Sequence, residues 1–103
     1  MSQSRRETFE ALLAETPDDA ELRYFLAMEC LSAGDTDTAL RHFQEVMTKL
    51  PDYVPAYVQA GQLYTRLGRE AEARTTYQAG IAVARKKGDF HAAGEMEGFL
   101  DAL

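Results

Sequence analysis

Apolar residues recur along this chain at steps of three and four. Leu22, Phe25, Leu26, Met28 and Leu31 form one such run. Ala39, Leu40, Phe43, Val46, Met47 and Leu50 form a second. Tyr57, Ala60, Gly61, Tyr64 and Leu67 form a third, and Ala73, Tyr77, Ile81 and Ala84 a fourth. That spacing places each set on one face of a helix, and no stretch alternates strictly as a strand would. The pattern predicts six helices, over residues 4–15, 20–33, 36–49, 54–67, 70–86 and 90–102. The punctuation agrees. Gly34 and Gly68 follow predicted helices, where a residue tolerant of positive φ ends a helix well. Asp35 is placed to cap the next helix. Pro17 and Pro51 cannot continue the helices before them, and Gly88-Asp89 supplies the last break.

The runs also repeat. At an offset of 34 residues Pro17 falls on Pro51, Asp18 on Asp52, Ala27 on Gly61, Gly34 on Gly68, Ala39 on Ala73 and Phe43 on Tyr77. Upstream, Phe9 falls on Phe43 and Leu12 on Val46. Agreement at small, aromatic, Gly and Pro positions together marks a tandem repeat. Short loops make consecutive helices antiparallel neighbours. Small residues such as Ala27, Gly61, Ala39, Ala73 and Gly80 then let backbones approach, while Phe43, Tyr64 and Tyr77 fill the gaps. One helix pair cannot bury its apolar face alone, so neighbouring pairs stack.

These residues resemble the tetratricopeptide repeat, whose pattern is Trp-x2-Leu-Gly-x2-Tyr, then Ala-x3-Phe, then Pro. One period here reads Tyr57-x2-Ala60-Gly61-x2-Tyr64, then Ala73-x3-Tyr77. The one before reads Arg23-x2-Leu26-Ala27-x2-Cys30, then Ala39-x3-Phe43, then Pro51. Residues 4–19 are similar to the second half of a preceding repeat, with Phe9, Leu12 and Pro17 in place. The expected organisation is therefore a single domain over 1–103: a half-repeat (4–19), two repeats (20–53 and 54–87) and a C-terminal capping helix (88–103). Arg23 stands where a large apolar residue is usual, Cys30 where an aromatic is usual and Arg85 where Pro is usual. Gly94 and Gly98 replace packing residues in the last helix. The resemblance implies an all-α fold of antiparallel helix pairs in a short right-handed solenoid, with a concave groove lined by the first helix of each pair. It implies an interaction module or scaffold that binds a peptide or protein segment there.

Composition narrows the function further. The 103 residues carry a net charge of −6. Residues 1–53 hold 5 basic and 11 acidic residues, and residues 54–103 hold 6 of each. The acidic half argues against nucleic acid as a partner, and mildly favours one with a basic surface. A solvated acidic face that keeps the protein soluble accounts for it more simply. Cys30 is the single cysteine, so no internal disulfide forms. No apolar run approaches membrane-spanning length. Met1–Arg6 leads into Glu7 rather than an apolar core, so no secretory signal is expected and the cytoplasm is the expected location. Met1 to Ser4 carry nothing to pack and are expected to fray.

On the groove face that the resemblance implies lie Glu21, Tyr24, Met28 and Leu31, then Val58, Gln62, Thr65 and Arg66. Tyr24, Met28, Leu31, Val58, Gln62 and Arg66 are the candidate partner-binding residues, Tyr24, Met28 and Val58 as an apolar floor, Gln62 and Arg66 as hydrogen-bond donors to a peptide. Aromatic, Met and Arg side chains are enriched in interfaces. The rival arrangement has the last helix folding over this face through Met96, Phe99 or Leu103. One family subclass clamps the carboxylate tails of chaperones with Lys, Asn and Arg. Tyr24, Met28, Gln59, Asp89 and Ala93 stand at the matching positions, which implies no such binding. An enzyme is not expected. His42 and His91 lie far apart and outside any metal-ligand spacing, and no phosphate loop or nucleophile motif is present. No cofactor or metal site is expected. His42 is assigned to the outer face of its helix, and Glu95 and Glu97 near His91 to a solvated one. Cys30 is read as a core residue, and Arg85-Lys86-Lys87 as a complement to the negative end of its own helix. Self-association, as a homodimer or within a larger assembly, is the alternative to a heterologous partner.

Overall fold

The computed structural model describes residues 4–103. Among them run six helices and no strand: α1 (Arg5–Glu15), α2 (Ala20–Ser32), α3 (Thr36–Lys49), α4 (Val54–Arg66), α5 (Glu70–Lys87) and α6 (Phe90–Asp101). The boundaries lie within a residue of those expected. Met1–Gln3 fall outside the described residues. Ser4, expected to fray, instead caps α1: its Oγ accepts from the Glu7 N–H at 3.1 Å.

Three helices end in the same way. Gly34, Gly68 and Gly88 adopt φ of 80°, 74° and 77°. The N–H of the next residue then reaches back five residues, from Asp35 to the Cys30 carbonyl, from Arg69 to Tyr64 and from Asp89 to Ala84. This closes the orphan carbonyls of the last turn. Asp35 and Asp89 go on to cap α3 and α6, accepting from the N–H groups of Thr38 and Ala92. Arg69 does not cap α5; its guanidinium makes a two-pronged ion pair with Glu72 at 2.7 and 2.6 Å.

The chain forms two compact units, Met1–Leu50 and Pro51–Leu103. In the first, α2 packs on both α1 and α3. Its core is Leu13, Leu26, Ala27, Cys30, Ala39, Leu40, Phe43 and Val46. In the second, α5 packs on both α4 and α6, and α6 also touches α4. Tyr57, Leu63, Tyr64, Tyr77, Ala84 and Met96 are buried there. Two glycines permit this closeness. A Cβ on Gly61 would overlap ring carbons of Tyr77, and one on Gly80 would lie 2.6 Å from the Met96 sulfur and 2.7 Å from the Tyr57 Cβ. Met96 thus serves the core, filling the hollow that Gly80 leaves.

Candidate protein-binding site

Each unit presents one set of the candidate residues. In the first, Tyr24, Met28 and Leu31 follow one another along α2, all half-buried. Tyr24 meets Phe43 edge-on at 5.7 Å and stacks on Phe25 at 5.9 Å. Phe25 stacks in turn on Phe9 at 6.3 Å, yet remains 51% exposed. Tyr24 thus has an aromatic neighbour on each side, Phe43 and Phe25.

In the second unit Val58 and Gln62 are half-buried on α4, and Arg66 is exposed one turn further on. Gln62 and Arg66 come together in a cleft of about 300 Å³, completed by Thr65, Tyr77, Phe99, Ala102 and Leu103. Val58 lies outside it. Tyr77 and Phe99, with ring centroids 5.8 Å apart, supply the aromatic wall. Burial pushes the Tyr77 phenol above its ordinary pKa, against a smaller opposing effect of a hydrogen bond with Thr65. The Thr65 hydroxyl is itself tied to the Gly61 carbonyl at 2.9 Å. Arg66 enters no ion pair among the described residues, so its guanidinium has donors to spare. A concave apolar surface with a few placed polar groups is the general form of a recognition site. The rival arrangement is realised only at one wall: Phe99 and Leu103 stand beside Gln62 and Arg66, and the space between them stays open.

A tetratricopeptide-repeat family model matches residues 30–95. A TPR repeat-containing protein of Pseudomonas aeruginosa is 35% identical over 97 residues, covering 94% of this chain and 92% of its own. The chain belongs to the tetratricopeptide-repeat family. The solution structure of a tetratricopeptide repeat domain protein from Salinibacter ruber superposes with a TM-score of 0.77 at 39% identity, over 82% of this chain and 85% of that one. The solution structure of protein BPP2914 from Bordetella parapertussis does so with 0.83 at 30% identity, over 98% and 88%.

Within that family's pattern the departures acquire physical roles. Arg23 sits where the repeat's large apolar residue is usual and donates to the Pro17 carbonyl at 3.1 Å. Tyr57, at the matching position of the other repeat, donates to the Pro51 carbonyl at 2.6 Å. Cys30 is fully buried, and burial raises its thiol pKa. His42, expected on an outer face, is half-buried with its Nδ1 3.2 Å from Arg23 Nη1. Periodicity could not reveal this pair, but comparison of Arg23 with Tyr57 and of His42 with Thr76 would have pointed to it. Asp89 caps α6 and Ala93 is buried. Arg85 pairs with Glu97 at 2.5 Å, and the Lys87 ammonium donates to the Asp52 carbonyl. The basic run therefore joins neighbouring elements as well as complementing its helix end. No three His, Cys, Asp or Glu residues converge for a metal ion among the described residues. Nor is any described helix long and apolar enough to cross a membrane.

Proposed function

We propose that this chain is a non-enzymatic protein-interaction module. Its partner is a peptide or protein segment that contacts Tyr24, Met28 and Leu31 of α2 and Val58, Gln62 and Arg66 of α4. The observation that carries this reading is the open cleft beside α4, with an aromatic wall of Tyr77 and Phe99 and, at its rim, Arg66, which forms no ion pair among the described residues. Arg66 gives the site a charge-assisted donor for a backbone carbonyl or a side-chain carboxylate. In the first unit Tyr24 and Met28 offer the apolar and adaptable surface that interfaces favour. The acidic first half selects a segment that also carries basic residues. The cytoplasm is the proposed location.

Peptide display on the immobilised protein, followed by fluorescence anisotropy on the selected sequence, tests this. The double variant Tyr24→Ala/Met28→Ala and the single variant Arg66→Ala are each expected to weaken binding about tenfold or more, at unchanged helicity. Unchanged affinity in both would overturn the assignment. A second reading, self-association, draws on Leu12, Phe25 and Phe90, which are 45%, 51% and 70% exposed. Light scattering on a size-exclusion column separates the two. A mass near 11.5 kDa at every concentration supports a heterologous partner, and a dimer supports self-association.

A further inference from the structure

The two repeats solve one structural problem with different chemistry. Arg23 and Tyr57 both reach back to a proline carbonyl, so the fold needs a donor there and not a charge. In the first unit that donor brings a guanidinium to His42. A guanidinium only donates, so His42 Nδ1 accepts and the neutral ring carries its proton on Nε2. Arg41 is adjacent in sequence, and its Nη2 donates to the Thr38 hydroxyl at 3.3 Å. Arg23, Thr38, Arg41, His42 and Glu45 together line a hollow of about 520 Å³.

Three of the five basic residues in this acidic half are ion-paired: Arg5 with Glu29, Arg6 with Glu10 and Asp35, and Lys49 with Asp18. The two that line the hollow, Arg23 and Arg41, form no ion pair among the described residues. Two guanidiniums against the carboxylate of Glu45 leave its lining net positive, with Glu10 beside Arg23 and His42 in the adjoining hollow. The corresponding positions of the second unit are Tyr57, Glu72, Thr75, Thr76 and Ala79. The helix pair there forms without such a cluster, so packing does not require it.

We propose that this hollow is a binding site for a phosphate-type oxyanion, held by Arg23 and Arg41 as charged donors and by the Thr38 hydroxyl and the His42 Nε2–H as neutral ones. Guanidiniums match the several oxygens of a phosphate better than a point charge does. The titration of His42 fits the same geometry. Burial first, then Arg23, Arg41 and Arg6, hold its pKa below the ordinary value, while Glu10 opposes them. The ring is therefore neutral at pH 7, and a bound anion offsets the arginines and raises its pKa.

The test is a side-chain NMR titration of His42 at constant ionic strength, with inorganic phosphate as the probe and the exposed His91 as internal reference. Phosphate is expected to raise the His42 pKa and to leave His91 unmoved. Arg41→Gln should weaken phosphate binding about tenfold. Arg23→Tyr copies the second repeat and keeps a donor for Pro17; it should abolish the response in a folded protein. Should that variant not fold, Arg41→Gln decides. Equal responses of His42 and His91, or unchanged phosphate affinity in Arg41→Gln, would overturn the site. An equal effect of acetate would overturn its phosphate character.

Discussion

The units Met1–Leu50 and Pro51–Leu103 carry matching helix pairs, α2–α3 and α4–α5, yet they close them by different means. In α2–α3 the backbones meet over Ala27, whose Cβ is fully buried. In α4–α5 the same position is Gly61, and the Tyr77 ring occupies the space a Cβ would take. Asp35 caps α3 in the first pair, while at the matching place Arg69 pairs with Glu72 and lies 4.9 Å from the centroid of the Tyr64 ring. The repeat pattern thus specifies a volume and a set of hydrogen bonds to be satisfied, and leaves open which side chains satisfy them. Residues that the pattern does not demand, such as the charge of Arg23, are then the places to look for function.

That comparison can be broken most severely at the large residues the two pairs share. Phe43 and Tyr77 are 0% and 1% exposed. Replacing either by alanine should cost about 3–5 kcal/mol, read by chemical denaturation. A smaller effect is expected at the position where the pairs differ. Gly61→Ala should destabilise by roughly 1–3 kcal/mol, because the Tyr77 ring must move, although alanine is the better helix former. Retained stability would show that the ring yields easily.

Smaller again is the acid response of the first unit. His42 has a folded pKa below its unfolded value. Its contribution is therefore fully present above about pH 6.5 and is lost as pH falls toward the folded pKa. His42→Thr, which copies Thr76, should flatten the stability profile below that pH. An unaltered profile would show that another group governs it. The smallest effect is expected at Gly94 and Gly98 of α6, where a Cβ meets nothing within 4 Å. Alanine at each should stabilise by about 0.5–1 kcal/mol, seen as a raised Tm.

Helix number, boundaries and most of the core were legible in the sequence. The signals that fix them, apolar period, αL glycines and capping aspartates, act between residues close in the chain. What escaped the sequence depends on pairs across helices. The bond between Arg23 and His42 joins residues 19 apart, and no period connects them. The cleft beside Gln62 and Arg66 needs Phe99 and Leu103 at a particular distance from α4. A pattern shows that those residues are apolar, but not whether they cover the face or stand at its edge. Ser4 departs from the expected fraying for a different reason. An N-cap needs only a hydroxyl and a free N–H three residues on, so it can be filled by a residue with nothing to pack.

The Met96 thioether, fully enclosed against Gly80, also gives the fold a chemical clock. Peroxide converts an accessible methionine to its sulfoxide, but reaches this sulfur only while α6 is lifted. Met28 and Met47 are partly exposed and should react first. The lag before Met96 follows then measures how often the last helix comes away from its neighbours.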